Sequence, residues 1–281
     1  MSSAPKKIVL TGASDGLGAE SASQLAAQGH DLVLSGRNPE KLAGVVARIR
    51  AESPSVEVTS FACDFADLDA VRRLAGEVLD ACPRIDVLLN NAGTIFMKRS
   101  TTAQGYESTF AVNHLAPFLL TELLLERVTS SGPGRIVNTA STMHYRGKLD
   151  FSDLGYDNGY SGMKAYGRSK LATVAASREL ATRLEGTGVT VNSLHPGAVA
   201  TSIYAVGPAP VAGVVKGLAG LVMMSAAQGG ATLTRLATGD DVAGLTGGYY
   251  EKTKLKQPAK PAQDPAFVAE LDRVSREMVG L

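Results

Sequence analysis

Several residue types are scarce in this chain, and their scarcity argues against whole classes of chemistry. Tryptophan is absent, and the 281 residues include two cysteines and four histidines. Cys63 and Cys82 lie far apart, and neither a CxxC nor an HExxH pattern occurs, so we predict no metal site. Unpaired thiols fit a reducing compartment.

Strong net charge and long hydrophobic runs are also missing. The net charge is +1, and no basic patch with interleaved aromatic residues occurs, which argues against a nucleic-acid partner. The apolar stretch 210–224 is too short to span a membrane and is interrupted by Lys216. The first strand begins almost at once, which leaves no room for a signal peptide. We therefore expect a cytoplasmic protein without a membrane anchor.

The chain does contain an alternation of short apolar, β-rich runs and segments with helical periodicity. Asn38 and Asp67 precede helices with leucine and valine stripes. Continuous apolar strands separated by helices predict a parallel sheet covered on both faces. The predicted strands are residues 7–12, 30–36, 56–62, 85–93, 135–141, 189–197 and a weaker 247–251.

No linker or internal repeat interrupts this pattern. Residues 1–281 therefore predict a single α/β domain of the Rossmann type, doubly wound around a seven-stranded parallel sheet. A polar surface tail and a last short helix are expected within residues 251–281.

The first strand ends in a glycine-rich turn, TGASDGLG, at residues 11–18. Its glycines at 12, 16 and 18 follow a strand and precede a helix. A turn without side chains lets backbone amides and the helix N-terminus approach a pyrophosphate, so the turn predicts nucleotide binding. The alternative is an ordinary tight turn between a strand and a helix.

This glycine spacing resembles the TGxxxGxG motif of the short-chain dehydrogenase/reductase family. NNAG at 90–93 resembles the second signature of that family, and YGRSKLA leads through one helix to a strand ending NSLHPGAVAT. The long gap between Ser141 and Tyr166, together with FAVNHL and RELATRLEG, resembles the retinol dehydrogenase-like branch. The resemblance covers about residues 7–251 and implies a nicotinamide-dependent oxidoreductase.

The stretch YSGMKAYGRSK contains Tyr-x-x-x-Lys twice. On one helix, tyrosines six positions apart differ by about 120° in direction, so they cannot face one ligand together. Turn-forming residues predict a helix start near Ser161, which leaves Tyr160 outside the helix. We therefore assign the chemistry to Tyr166 and Lys170. We expect Tyr160 and Lys164 to form a surface pair at the rim of the site, where loss of the tyrosine hydroxyl has a mild effect.

The family resemblance implies a catalytic tetrad of Asn113, Ser141, Tyr166 and Lys170. Tyr166 would protonate a carbonyl oxygen as hydride arrives from the nicotinamide, while Lys170 would lower the tyrosine pKa and hold the nicotinamide ribose. Ser141 ends the fifth strand at the sheet edge where ligands bind, so its hydroxyl can orient the carbonyl. Asn113 would hold a water that relays protons. The chemically suitable substitutes for Ser141 are Ser131, Thr139 and Thr142.

The end of the second strand bears on cofactor choice. Gly36 stands where a carboxylate would bind a free 2′-hydroxyl, and Arg37 can bind a 2′-phosphate, so we expect NADP(H), with NAD(H) as the alternative. Asp15 argues mildly against NADP(H), and Arg37 can instead be a solvated turn residue. The predicted cofactor-binding residues are Gly12, Ser14, Gly16, Leu17, Gly18, Arg37, Asn38, Asp64, Phe65, Asn91, Ala92, Gly93, Tyr166, Lys170, Pro196, Gly197, Val199 and Thr201.

The substrate is predicted from residues 202–228, which are rich in glycine, proline and small apolar side chains. Such a segment is typical of a mobile lid over an apolar ligand, so a lipophilic ketone, aldehyde or alcohol is expected. The alternatives are an NAD-linked alcohol dehydrogenase and a sensor or scaffold that binds NADP(H) without turnover. Relatives form dimers and tetramers, so a homodimer or homotetramer is expected. His114, His144 and His195 are expected to be structural, because Tyr166 supplies the proton.

Overall fold

The fold is built on one eight-stranded sheet in the computed structural model, which describes residues 4–197 and 224–281. The strands are β1 Lys7–Thr11, β2 Asp31–Gly36, β3 Val58–Ala62, β4 Val87–Asn90, β5 Arg135–Thr139, β6 Thr190–His195, β7 Tyr249–Glu251 and β8 Lys254–Lys256. Their order is β3-β2-β1-β4-β5-β6-β7-β8, and β1 to β7 run parallel. The predicted doubly wound α/β fold is confirmed.

β8 is a strand that the sequence does not predict. It runs antiparallel to β7 and lies within the expected polar tail. Its own residues are exposed, but the chain then returns to the core, where Ala259 and Ala262 are buried. The backbone N–H of Ala259 donates to Nε2 of His144 over 3.1 Å. This segment is therefore anchored to the body of the protein, rather than being a plain surface excursion.

Helices cover both faces of the sheet and share one apolar cluster on each face. One cluster involves α1 (Gly16–Ala27), α2 (Pro39–Glu52) and α6 (Ala226–Thr238). The other involves α3 (Leu68–Ala81), α4 (Ser108–Ser130), α5 (Gly162–Arg183) and α7 (Pro265–Val279). The two predicted helix starts are confirmed, because Asn38 accepts the N–H of Lys41 (2.7 Å) and Asp67 accepts that of Asp69 (2.9 Å).

α4 contains a π-helical turn, Ala111–Leu115, between its α-helical ends. The N–H of Ala116 bonds to the carbonyl of Ala111, five residues back, and single turns of this kind are frequent at functional sites. Among residues 4–197 and 224–281, α4 alone is long and apolar enough to cross a membrane. However, 72% of its most apolar window is buried inside the protein, as in a core helix.

A cluster of charged side chains joins α7 to α4 and α5. Arg183 pairs with Glu122 and lies 4.0 Å from Glu179. Arg276 contacts Glu122 (3.1 Å) and Asp272 (2.9 Å), so three carboxyl groups share two guanidinium groups. Burial raises the pKa of Glu179 to about 7; Arg183 opposes this rise, and Asp272 and Glu122 reinforce it.

We predict that Glu179→Gln stabilises the protein at pH 8 and changes its stability little at pH 4.5. The pKa of Glu179 is 4.5 as a free side chain and about 7 when folded, so the folded state binds more protons between these values. The stability that comes with the protonated carboxyl is present at low pH and is lost as pH rises toward 7. The gain at pH 8 should be about 1–3 kcal/mol in the free energy of unfolding, measured with urea.

Glu126→Gln is the matched control, because Glu126 is an exposed carboxyl on the same helix as Glu122. It should show no gain that depends on pH. An equal gain from both substitutions, or a gain from Glu179→Gln that is the same at both pH values, would contradict this account.

Candidate active site

The site lies where the strand order reverses, at the carboxyl ends of β1 and β4. β1 pairs with β2 on one side and with β4 on the other. Open α/β sheets bind ligands at such a switch point. The glycine turn follows β1 and the NNAG segment follows β4, so both signatures lie at this edge.

Glycines allow these two turns to approach each other closely. Gly12 and Gly16 have φ angles of +68° and +53°, which favour glycine. A Cβ on Gly12 would lie 2.8 Å from the Cα of Ala92, and one on Gly18 would overlap the carbonyl oxygen of Gly12. The first turn of α1 therefore offers backbone amides without side chains over them, which fits a pyrophosphate.

Thr11 joins the glycine turn to the NNAG segment through hydrogen bonds, a role that the sequence did not reveal. Its hydroxyl accepts the N–H of Asn91 (3.0 Å) and of Ala92 (3.1 Å). Nδ2 of Asn91 donates to the carbonyls of Thr11 (3.1 Å) and Gly12 (3.2 Å) in return. Its position could have indicated this role, because Thr11 is the first residue of the glycine motif and the last residue of a buried strand.

Asn113 is buried in the π-helical turn of α4. Its Oδ1 accepts the N–H of Thr94 (2.8 Å), and its Nδ2 donates to the carbonyl of Thr94 (2.8 Å) and to Oγ of Ser169 (3.0 Å). A Cβ on Gly93 would lie 3.2 Å from Oδ1 of Asn113 and 3.5 Å from Nζ of Lys170. The fold thus brings Asn113, Gly93 and Lys170 together from three separate segments.

Lys170 is buried beside Tyr166 on α5, with 3% of its surface exposed. Its Nζ donates to the carbonyl of Thr139 (2.7 Å) and lies 5.7 Å from the centre of the Tyr166 ring. Burial lowers the pKa of Lys170 to about 8. The ammonium is therefore still charged at neutral pH, and its proximity favours negative charge on the phenol oxygen.

Ser141 begins a short 3-10 helix, Thr142–Arg146, directly after β5. Its Oγ accepts the N–H of Met143 (3.2 Å), and its carbonyl accepts Nδ1–H of His144 (2.7 Å). The other ring nitrogen of His144 accepts the N–H of Ala259, so both nitrogens are satisfied in the neutral ring. Burial also lowers the pKa of His144. This histidine holds the Ser141 turn in place.

Gly147 and Gly167 allow the Ser141 turn to pack closely against α5. A Cβ on Gly147 would overlap the carbonyl oxygen of Gly167 and would lie 2.8 Å from Cβ of Leu171. Gly167 directly follows Tyr166, so this contact sets where the turn lies relative to the tyrosine.

The three substitute hydroxyls are placed differently from Ser141. Ser131 lies at the opposite sheet edge, where it accepts the N–H of Ile85 (3.0 Å) just before β4. Thr142 is exposed, and Oγ1 of Thr139 donates to Asn91 (3.4 Å). Ser141 therefore remains the assigned serine.

The turn after β2 carries two cations rather than one. Arg37 is exposed, and Nζ of Lys41 lies 2.7 Å from Oδ2 of Asp15. The hydrogen bond from Lys41 lowers the pKa of Asp15. A Cβ on Gly36 would lie 2.9 Å from the side chain of Ser14, so any side chain at residue 36 would require Ser14 to shift. The acidic residue that argues against NADP(H) is thus neutralised by a lysine that the sequence analysis missed.

The remaining predicted cofactor residues are partly described. Asp64 accepts the N–H of Ala66 (3.0 Å) in an exposed turn after β3, and Phe65 is buried beneath it. Pro196 and Gly197 follow β6, with a φ of +101° at Gly197. Val199, Thr201 and residues 202–223 of the predicted substrate segment lie outside the described residues.

The other two histidines behave as expected of structural residues. His114 is buried in α4 and its Nε2 shares a hydrogen bond with Oγ of Ser275 (2.7 Å). Burial lowers the pKa of His114 to about 3 and also lowers that of His195. Both rings are therefore neutral at physiological pH.

These features define a Rossmann-type oxidoreductase that binds a dinucleotide, and Tyr166 and Lys170 lie side by side on α5. A family model described as short chain dehydrogenase matches residues 6–206, and the chain belongs to this family. Human retinol dehydrogenase 13 is 36% identical over 281 residues, covering 98% of this chain and 85% of that protein. Together with the similarly matching human retinol dehydrogenase 14, this places the chain in the retinol dehydrogenase-like branch.

Two further matches extend the comparison to other organisms and to a solved structure. A protein of Streptomyces sp. (strain C5) named "Putative daunorubicin C-13 ketoreductase DnrU" is 39% identical over 279 residues, covering 98% of this chain and 93% of that protein. A short chain dehydrogenase from Burkholderia cenocepacia, solved in complex with NADP, superposes with a TM-score of 0.69 and 27% identity, covering 88% of this chain and 95% of that one.

We predict that Gly147→Ala destabilises the protein by about 1–3 kcal/mol, because the added methyl must push the Ser141 turn away from the catalytic helix. Urea unfolding measures the change in the free energy of unfolding. Turnover should fall as well, since the turn carries Ser141.

Gly76→Ala is the matched control. Gly76 is exposed in α3 with nothing near the position of an added Cβ, so alanine there should stabilise by about 0.5–1 kcal/mol. If Gly147→Ala proved as stable as Gly76→Ala, the close contact with Gly167 would not exist in solution.

Proposed function

We propose that this protein is an NADP(H)-dependent oxidoreductase that interconverts a lipophilic ketone or aldehyde and its alcohol. The observation that carries the proposal is the buried Lys170 ammonium, held between the carbonyl of Thr139 and the ring of Tyr166 and close to Gly93. A lysine is buried at such a cost only where its charge is used or compensated.

The described residues suit a proton transfer coupled to hydride transfer. A bound nicotinamide would supply or accept the hydride. Tyr166 gives its proton to the carbonyl oxygen, and the Lys170 cation stabilises the negative charge left on the phenol oxygen. Ser141 donates a hydrogen bond to the same carbonyl oxygen. Asn113, fixed by Thr94 and Ser169 and close to Gly93 like the lysine, would hold the water that relays protons to Lys170.

The charges at the ribose end support NADP(H) over NAD(H). Arg37 is exposed at the end of β2 and can bind a 2′-phosphate with its planar group of donors. Lys41 pairs with Asp15 and offsets the negative charge that would otherwise repel this phosphate. The Burkholderia cenocepacia relative, solved with NADP, agrees with this choice.

The lipophilic substrate is supported by exposed apolar side chains near the site. Met97 lies beside Gly162 at the start of α5, and Met97 and Met163 are 48% and 40% exposed. The relatives named for retinol and for daunorubicin C-13 ketoreduction agree with a large apolar substrate. The second name supports reduction of a ketone as the working direction.

We also propose a cytoplasmic location, which the burial of the apolar window of α4 supports. A homodimer or homotetramer and a small-molecule partner, with no nucleic acid, remain our predictions.

We predict that the purified protein oxidises NADPH with members of a panel of lipophilic ketones and aldehydes, and that Tyr166→Phe lowers kcat by about 10²–10⁴-fold. The affinity for NADPH, measured by calorimetry, should change little, because the phenol hydroxyl acts at the reacting end.

Tight NADPH binding without turnover across the whole panel would instead favour a sensor or scaffold. Turnover that survives in Tyr166→Phe would refute the role of this tyrosine.

We predict that Arg37→Met raises KM for NADPH by about tenfold, the loss of one charge-assisted contact, and leaves KM for NADH nearly unchanged. Lys41→Met should act in the same direction, because it frees the Asp15 carboxylate.

Arg50→Met is the control, because Arg50 lies at the far end of α2 and bonds to the carbonyl of Val58. Equal efficiency with NADH and NADPH in the unaltered protein would remove the proposed preference.

A further inference from the structure

The first Tyr-x-x-x-Lys copy is not the surface pair that the sequence predicts. Lys164 is exposed, but Tyr160 is half-buried and its hydroxyl donates to the carbonyl of Phe96 over 2.7 Å. The same hydroxyl lies 3.1 Å from Oε1 of Glu107 and 3.4 Å from Oγ1 of Thr109. One hydroxyl group therefore meets two segments that lie more than fifty residues away in sequence.

Glu107 connects this hydroxyl to the helix that carries Asn113. It is 1% exposed, and its two carboxylate oxygens accept the N–H groups of Thr109 and Phe110, each over 2.8 Å. Glu107 thus caps the start of α4, one turn and a half before Asn113. The Tyr160 hydroxyl contacts the cap itself.

Phe96 connects the hydroxyl to the segment after β4. Thr94 lies two residues before Phe96, and its backbone N–H and carbonyl both bond to the side-chain amide of Asn113. A Cβ on Gly162 would lie 2.6 Å from the carbonyl oxygen of Phe96, so the first residue of α5 presses on the same peptide. Residues 94–97 are therefore clamped between Asn113 and the start of the catalytic helix.

Among the residues that the structure describes, no side-chain capping hydrogen bond forms at the N-cap of α5. Ser161 occupies this N-cap position. Tyr160 immediately precedes it, so the bonds of Tyr160 hold the end of the helix from which Tyr166 projects, one and a half turns later.

A buried arginine balances the charge of Glu107. Arg168 is 3% exposed, donates to the carbonyls of Asp153 and Leu154 (2.8 Å each), and lies over the rings of Phe110 and Tyr156. The Arg168 guanidinium and these two rings form one cluster; burial lowers the pKa of this guanidinium, and Glu107 opposes the shift. Tyr160 belongs to this cluster, with its ring centre 5.3 Å from that of Tyr156.

We propose that Tyr160 is a positioning residue, whose hydroxyl fixes residues 94–97 and the Glu107 cap and thereby holds Asn113 against the helix of Tyr166 and Lys170. The proposal rests on the oxidoreductase function proposed above. It replaces the expectation that loss of this hydroxyl is mild.

The test compares Tyr160→Phe with the unaltered protein, using NADPH and a carbonyl that the protein reduces. We expect kcat to fall about tenfold, since small displacements of catalytic groups cost rate, while KM and Kd for NADPH stay within about twofold. Hydrogen exchange of the backbone amides of residues 94–97 should be faster in the variant without any cofactor.

Thr109→Val provides a second, independent variant. Oγ1 of Thr109 accepts the N–H of Phe96 (3.3 Å), so valine weakens the same link while the bonds of Tyr160 to Phe96 and Glu107 stay in place. Its kcat and its exchange at residues 94–97 should change in the same direction.

Tyr106→Phe is the matched control, because its hydroxyl also donates to a distant backbone carbonyl, that of Met278 in α7. It should lose thermal stability without a change in kcat. The proposal is overturned if kcat of Tyr160→Phe stays within twofold of the unaltered protein, if Tyr106→Phe loses as much activity, or if exchange at residues 94–97 is unchanged.

If the proposed oxidoreductase function were wrong, the results would differ from those that overturn the role of Tyr160. The unaltered protein would then reduce no carbonyl, while the exchange measurement on Tyr160→Phe and Thr109→Val would still decide whether the hydroxyl fixes residues 94–97.

Discussion

The burial of one ammonium group is the constraint around which the site is arranged. A lysine charge away from water is costly unless polar groups surround it. The carbonyl of Thr139 at the end of β5 provides one such group, and the sheet fixes that carbonyl in place. Gly93 leaves room for the ammonium beside Asn113 because it has no side chain. The end of β5, Gly93 of the NNAG segment and Asn113 of α4 therefore all lie close to Lys170.

The two halves of the site are held by different means. Backbone groups and the Thr11 hydroxyl hold the cofactor half, through contacts between the turns after β1 and β4. Side chains from α4, α5 and the segments between strands hold the reacting half. This division suits a family in which one scaffold serves many substrates.

The sequence was sufficient for features that depend on local pattern. Apolar periodicity predicts β1 to β7, and the caps at Asn38 and Asp67 form as expected. It was insufficient where a side chain meets a partner far along the chain. The pairing of Lys41 with Asp15, the bond between His144 and Ala259, and the contact of Tyr160 with Glu107 span from 26 to 115 residues and leave no periodic signal. The roles of the tetrad came from family resemblance, since spacing alone left several hydroxyls open.

The π-helical turn of α4 has a consequence for the direction of the Asn113 amide. Such a turn is one wider turn inside an α-helix, and Asn113 lies at its middle. Regular α-helical geometry over Ala111–Leu115 would turn this amide to a different direction relative to the Glu107 cap and away from Thr94. The number of residues between the cap and the amide is therefore as much a part of the site as the side chains themselves.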